Sequence, residues 1–361
     1  MIKIIHTADN HVGCRQYGMP EREEDFYASL REIVRVAKDE IADVVVFAGD
    51  LFDSAKPSAR AVLEVKTCVE ALRLSGREVL GIEGNHDLTQ DSYWLRVCGV
   101  HPLSDGYVND VLGLRAIGVN YCRGDELMKR LEEIALACEN DGTSWPLVVL
   151  HAGVAEMSCP FNAEVSQQQL APVLKRIGCR YCALGHVHIR CEQSVDGILF
   201  VQPGSTECKS VDEPNGKSVS VFEMEENSGS VSSMREAPVR SRKIETFDVK
   251  DESGLESLKS AKDGSLVVAY VSGALRDGAA RATDVLKGLP VLFRVIPVGD
   301  AGQERREYDR GSSMDLLKDA VLAFFDEGSE QYGLVMDIIN TGNPRMVVEN
   351  FMNKDMEEAK C

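Results

Sequence analysis

Short β-branched runs recur along the first two thirds of the chain: "IKIIHTA", "DVVVFAGD", "EVLGIEG", "LRAIGVN", "LVVLHAG", "YCALGHVH", "ILFVQPGS" and "SVSVFEME". Runs of this length, rich in Val and Ile and closed by Gly, Asp or Asn, predict strands. Between several of them the apolar positions shift to helical spacing. Asp25 to Asp39 places Phe26, Leu30, Ile33, Val34 and Ala37 on one face. Ser58 to Ser75 does the same with Val62, Val65, Val69 and Leu72. Strands alternating with helices imply a layered α/β domain, here residues 1–240. Asn227 to Ser233 reads as a turn between late strands.

The pattern then restarts. "RKIETFDVK", "SLVVAYVSG" and "LPVLFRVIPVG" flank a short helical stretch, which predicts a small α+β unit over residues 241–310. Residues 311–361 change character again. "SSMDLLKDAVLAFFDEG" is amphipathic, with Met314, Leu317, Val321, Leu322 and Phe325 on one face, a serine start and a glycine stop. Val347, Val348, Phe351 and Met352 mark a second face in the terminal run. So long an apolar stripe on so short a tail predicts docking into a partner's groove.

A length of 361 residues agrees with two or three domains. The net charge of −18 argues against nonspecific nucleic-acid binding by the whole surface and leaves room for a local basic groove or a metal site that receives phosphate. Met1 runs directly into the first strand with no basic region before a long apolar stretch, so no signal peptide is expected. No apolar run approaches the roughly 20 residues of a membrane span. The 11 cysteines are scattered and odd in number, which suits a reducing cytoplasm. Cys179 and Cys182, in "CRYC", are expected as packed thiols rather than as a metal pair.

The chemistry lies in the histidines. Of seven, five stand at predicted strand ends beside Gly, Asp or Asn: "TADNH" (Asp9, His11), "GNHD" (Asn85, His86, Asp87), "LHAG" (His151) and "GHVH" (His186, His188), with Asp50 supplied by "AGD". Strand C-terminal ends of open α/β sheets face the ligand crevice, so residues spread over half the chain can converge. Carboxylates, imidazoles and an amide without thiolate suit two borderline or hard divalent ions such as Mn, Fe or Zn. Asp50 is the natural bridge, because a carboxylate has two oxygens. Such a pair clamps a phosphoryl group and activates water. Asn85 can ligate through its amide oxygen, leaving His86 to protonate the leaving oxygen with Asp87 orienting its ring. His6 is expected to pack on the first strand and His101 to lie in a loop.

The order Asp-x-His, Gly-Asp, Gly-Asn-His-Asp, His, Gly-His-x-His resembles the calcineurin-like metallophosphoesterases. "TADNHVGCRQYGMPEREEDF", "GDLFDSAKPS", "ALGHVH" and "PGSTE" narrow the resemblance to nucleases of the SbcD and Mre-eleven family, over roughly residues 1 to 250. The resemblance implies a layered β-sandwich flanked by helices, a small α+β capping domain and a helical tail. It implies one metal held by Asp9, His11, Asp50 and His188, a second held by Asp50, Asn85, His151 and His186, with Mn2+ in both, and His86 as the catalytic histidine. It also implies Mn-dependent cleavage of DNA, as single-strand endonuclease and double-strand 3'-5' exonuclease, in double-strand-break repair. Its implied partners are DNA, an SMC-like ABC ATPase of the SbcC / Rad-fifty type bound by the tail, and a second copy of the chain.

One position departs from the pattern. Where some family members carry a histidine after "GDLF", this chain has Asp53, and an anion cannot be a cationic phosphate contact. Arg15, Gln16, Tyr17, Lys56 and Arg60 follow the first two motifs and are expected to touch backbone phosphates. Val62, Val65, Val69, Leu72, Tyr93, Trp94 and Val97 offer an apolar face for the homodimer or, equally, for packing within the domain. A phosphodiesterase acting on other substrates and a DNA-end scaffold for the ATPase are the competing readings.

Overall fold

Strands that are apolar throughout must be covered on both faces, and that requirement organises the molecule. The computed structural model describes residues 1–157, 163–226 and 228–298. β1 (Ile2–Thr7), β2 (Val44–Ala48), β3 (Glu78–Ile82) and the short β4 (His101–Pro102) run parallel, and β11 (Ser218–Met224) and β12 (Val231–Pro238) extend the β1 edge antiparallel, in the order β12-β11-β1-β2-β3-β4. A second six-stranded sheet has the order β5-β6-β7-β8-β10-β9, from β5 (Tyr107–Asn109), β6 (Leu114–Val119), β7 (Leu147–His151), β8 (Tyr181–Gly185), β9 (Cys191–Val195) and β10 (Ile198–Gln202). Its central strands β6, β7, β8 and β10 are parallel.

All five residues of β2, of β7 and of β8 are buried. Alternate side chains divide between two layers. Val44, Val46 and Ala48 of β2 meet Leu147, Val149, Tyr181 and Ala183 of the other sheet in the core between the sheets. Val45 and Phe47 point the other way, into helices α1 (Pro20–Asp39) and α2 (Ala59–Leu74). The second sheet turns Val148, Leu150, Cys182 and Leu184 onto α4 (Gly124–Asp141) and α5 (Gln167–Ile177). The result is a helix–sheet–sheet–helix sandwich, the fold class expected. The short α3 (Tyr93–Cys98) packs on α2, in the layer of α1 and α2.

The expected small α+β unit is a parallel sheet of β13 (Ile244–Val249), β14 (Leu266–Ser272) and β15 (Leu292–Val298) with α6 (Glu252–Ser257) and α7 (Gly278–Lys287). It does not stand apart. Ile244, Leu266 and Val268 pack with Tyr17, Met19 and Cys208 of the sandwich loops, and Met1–Val298 forms one compact unit. The last part of the expected capping unit, 299–310, and the amphipathic faces expected in 311–361 lie outside the described residues.

Several expectations change. α1 starts at Pro20 rather than Asp25, proline being favoured at the first helical position. Of the turn expected over Asn227–Ser233, the last three residues already belong to β12, which begins at Val231. His101 is not a loop residue. It opens β4, with its ring 4.8 Å from that of Tyr107. Val65, Val69 and Leu72 are core residues of the sandwich and so are not available to a second copy of the chain, whereas Leu63 and Tyr93 are exposed. As expected, His6 is buried on β1 with Nδ1 3.1 Å from the Tyr181 hydroxyl. Cys179 and Cys182 are packed thiols, and burial pushes Cys179 up to about 12. Among the described residues no helix is long and apolar enough to cross a membrane.

Candidate metal centre

Five strands end at one rim of the sandwich and deliver the site. The loop after β1 carries Asp9 and His11, that after β2 carries Asp50, and that after β3 carries Asn85 and His86. From the facing sheet come His151, the last residue of β7, and His186 and His188, just past β8. Backbone hydrogen bonds lace these loops together. The Asp9 N–H donates to Gly49 C=O (3.2 Å), and the His11 N–H to Asp50 C=O (3.0 Å). The carboxylates also receive backbone donors. The His186 N–H points at both Asp9 oxygens (3.0 and 3.1 Å), and the His86 N–H at Asp50 Oδ1 (2.8 Å).

This convergence has a conformational cost. Asp9 (φ 51°), His11 (φ 44°), Asp50 (φ 49°) and His186 (φ 93°) all occupy positive-φ backbone. Such residues cost about 1–3 kcal/mol each and persist where the surroundings over-determine them, typically at functional sites. Two glycines permit the close approach. A Cβ on Gly185 would fall 2.1 Å from the Ala48 carbonyl oxygen, and one on Gly84 2.2 Å from Asp50 Oδ1.

The side chains meet around Asp50. Its Oδ2 lies 3.7 Å from His11 Nε2 and 3.4 Å from His151 Nε2. His11 Nε2 is 3.1 Å from His188 Nε2. Asn85 Oδ1 faces His151 Nε2 (3.1 Å) and His186 Nδ1 (3.0 Å). Among the described residues, Asp9–His11–His188, Asp9–Asp50–His151 and His11–Asp53–His86 each bring ligand atoms within 4.8 Å of one another. Most of the rings are turned by a partner on their other nitrogen. His151 Nδ1–H donates to Ala48 C=O (2.9 Å), and His188 Nδ1–H to Glu213 (2.8 Å). Glu164 lies 3.4 Å from His186 Nε2. These are the outer partners that metal-binding imidazoles characteristically have.

The electrostatics call for cations. Asp9 and Asp50 are buried almost completely. Burial opposes ionisation of Asp50, yet His151, His11 and His86 hold it well below the usual carboxylate range. Burial likewise opposes charge on His151, but Asp50 and Asp9 raise it to about 9. Burial and Lys209 push His11 down to about 3, and burial with His151 pushes His186 down to about 4. With His188 Nδ1–H given to Glu213, the Nε2 atoms of His11 and His188 turn lone pairs towards one spot, which only a cation or a proton between them makes favourable. The donor set of carboxylate, imidazole and amide oxygen fits divalent metal.

Two roles need correction. Asp87 does not orient His86. Its oxygens accept the N–H groups of Phe52 (3.0 Å) and Gly84 (2.8 Å), so it braces the loops after β2 and β3. The partner of His86 Nδ1 is the Asp53 carbonyl, 3.2 Å away. Gln16 is no phosphate contact either. Buried, it donates to Lys209 C=O (2.8 Å) and accepts from Arg22 Nε (2.8 Å). Of the other expected contacts, Tyr17 packs towards the small sheet, and Arg60 pairs with Glu24 over the Tyr27 ring. Arg15 reaches Glu23 at 3.4 Å but stays largely exposed, and Lys56 is exposed.

Sequence reasoning missed Lys209, Glu213 and Glu164. Nothing in their spacing marks them, although Lys209 lies two residues past the "PGSTE" run. Lys209 Nζ stands 2.8 Å from Asp53 Oδ1 and 3.2 Å from His11 Nδ1. Glu213 also accepts Lys217 Nζ (2.6 Å), and His188 and Lys217 hold its carboxyl well below the usual range although burial opposes this.

The sequence profile of the calcineurin-like phosphoesterases matches residues 2–190, over half of the chain and all five site loops. The chain belongs to that family. This calcineurin-like phosphoesterase is also similar to curated relatives. It is 28% identical over 226 residues to the DNA double-strand break repair protein Mre11 of Saccharolobus solfataricus, covering 60% of this chain and 57% of that one. To the protein of the same name from Archaeoglobus fulgidus it is 28% identical, over 57% of this chain and 50% of the relative. To that of Methanocaldococcus jannaschii it is 25% identical over 318 residues, 82% of this chain and 83% of the relative. The chain thus spans about half the length of the first two. A solved structure, the TT1561 protein of Thermus thermophilus, aligns with a TM-score of 0.45 at 14% identity, over 66% of this chain and 99% of that one.

Proposed function

We propose that the chain is a metal-dependent DNA nuclease that processes double-strand breaks, cutting single strands internally and duplex ends exonucleolytically. The observation that carries the reading is the meeting of two ligand sets at one carboxylate, Asp50, beside a histidine that belongs to neither. Asp9, His11, Asp50 and His188 would hold one ion, and Asp50, Asn85, His151 and His186 the second, manganese in both. Ions held by these residues would supply Lewis-acid polarisation of a phosphodiester and an activated water.

The chain's own groups do the rest. The His86 Nδ1–H rests on the Asp53 carbonyl, which fixes the tautomer and leaves Nε2 to exchange a proton with the leaving oxygen. Asp87, locked onto two backbone N–H groups, keeps the Gly84–Asn85–His86 turn at its distance from the loop after β2. Glu213 and Ala48 C=O hold the rings of His188 and His151 in the ligating orientation.

Preference for DNA is supported by reach. The alignment over 318 residues runs well beyond the phosphoesterase match ending at residue 190, and every relative described carries the double-strand-break repair name. In this reading residues 241–310 cap the site against DNA. The tail, 311–361, binds an SMC-like ABC ATPase in the cytoplasm, and a second copy of the chain completes the complex. The test is incubation of the full chain with single-stranded, hairpin and linear duplex DNA in Mn, Mg or chelator. Cleavage with Mn, lost with chelator and in Asp50→Asn, is expected. Intact DNA beside turnover of a nucleotide phosphodiester or a phosphoprotein would overturn the reading.

A further inference from the structure

Lys209 occupies a place in the site that neither ligand set uses. Its Nζ lies 2.8 Å from Asp53 Oδ1, 3.2 Å from His11 Nδ1 and 3.5 Å from His86 Nε2. Its ammonium pairs with the Asp53 carboxylate and donates towards His86 Nε2, while His11 Nδ1–H, 3.2 Å from Asp53 Oδ1, faces the same carboxylate and leaves His11 Nε2 free to ligate; these three atoms surround Nζ. They are also the His11–Asp53–His86 group, whose ligand atoms cluster within 4.8 Å. A cation of the protein's own therefore fills this group. Nor does the lysine intrude where a metal belongs. The His11 atom that faces His188 and Asp50 is Nε2, whereas Nζ sits against Nδ1, on the opposite edge of the ring.

The placement is built rather than incidental. The Lys209 carbonyl accepts from the buried Gln16 (2.8 Å), and its N–H donates to Glu213 (3.1 Å). The side chain is 23% exposed, so an incoming molecule can touch it. Lys217, the next lysine along the chain, is buried and spent on Glu213 and Ser205 (2.6 and 2.9 Å). Around Nζ the carboxylates of Asp9, Asp50 and Asp53 crowd one rim in a chain of net charge −18, where an approaching polyanion meets repulsion. The longest of the three contacts, to His86 Nε2, is the one an entering anionic oxygen would displace.

We propose that Lys209 binds a non-bridging oxygen of the scissile phosphodiester beside His86, and that Asp53 is the positioning residue that aims it. The inference rests on the phosphodiester reading given above. It assigns a role to the Asp53 departure, since the anion at that position supports a phosphate-binding cation instead of being one.

The test compares Lys209→Met, Lys209→Arg and Asp53→Asn with the unaltered full chain, all loaded with Mn. Inorganic phosphate is titrated into each by calorimetry, and KM and kcat are measured on a single-stranded oligonucleotide. Loss of a hydrogen bond between charged groups is expected to weaken phosphate binding in Lys209→Met by roughly 10–100-fold. KM should rise in parallel, while bound Mn and melting temperature stay unchanged. Lys209→Arg should keep most of the affinity, and Asp53→Asn should fall between. If Lys209→Met disturbs folding, Lys209→Gln takes its place. Unchanged phosphate affinity in Lys209→Met would refute the proposal, as would a loss of phosphate affinity that only follows a loss of bound Mn. The phosphate titration needs no DNA cleavage. A chain that leaves DNA intact contradicts the nuclease reading, and the Lys209 contact is still decided.

Discussion

Arg22 is completely buried, and its guanidinium makes four hydrogen bonds. Nε donates to Gln16 (2.8 Å), one terminal nitrogen to Asp25 (2.7 Å), and the other to Glu207 (3.1 Å) and the Cys208 carbonyl (2.7 Å). Replacing it by Met keeps the apolar stem beside Phe26 but strands Glu207, itself 1% exposed. Breaking a buried ion pair by removing one partner costs about 3–5 kcal/mol, because a charge is left unpaired. Glu207 retains the N–H groups of Arg242 (2.9 Å) and Cys208 (3.0 Å), which places the loss near the lower end of that range. For a body of this size each kcal/mol lowers the melting temperature by about 2–4 °C, so a drop of roughly 6–12 °C is expected in Arg22→Met. Circular dichroism melts of Arg22→Met, Glu207→Gln and the double variant measure it. The double variant should lose less than the sum, with a coupling of about 1–3 kcal/mol. A drop below about 2 °C, or strict additivity, would refute the reasoning. Because Gln16 and Cys208 anchor the segment bearing Lys209, weaker phosphate binding should accompany the loss.

Glu213→Gln should weaken divalent metal by about 10–100-fold while the fold persists, since it removes the anion that turns His188; calorimetric titration with Mn measures this. His151, with a pKa raised to about 9, carries a proton at neutral pH in the metal-free protein and must release it to ligate. Metal affinity should therefore climb as pH rises towards 9 and level off above it, with proton release visible as a buffer-dependent heat; affinity independent of pH between 7 and 9 would contradict this. His86→Gln should keep its metal and DNA binding and lose about 10²–10⁴-fold in turnover, whereas His188→Gln should lose metal. Equal metal loss in the two, read by elemental analysis, would remove the distinction.

The strand-end histidines were legible because two signals coincide there, an apolar run that must be buried and a polar residue where the run stops. That made β1, β2, β3, β7 and β8 and their loops readable together. The edge strands were not. β4 has two residues, and β9, "CEQSV", carries half-exposed polar side chains that resemble a loop. The shell behind the ligands was invisible for another reason. Glu164, Lys209 and Glu213 act through distances across the fold, and no spacing along the chain encodes them. Asp87 misled because its neighbour in sequence is His86, whereas its neighbours in space are two backbone N–H groups. Gln16 misled in the same way: its place after the first motif suggested a phosphate contact, and burial assigns it to the interior. Helical spacing left Val65 open between a second copy and the core, and burial decides for the core.

The most direct measurement is an anomalous difference map at the manganese edge from crystals of the full chain grown with Mn. Two peaks bridged by Asp50 are expected, one among Asp9, His11 and His188, the other among Asn85, His151 and His186, with no peak inside the His11–Asp53–His86 triangle. A single peak, or one displacing Lys209 from that triangle, would contradict the two-ion centre on which the proposed chemistry depends.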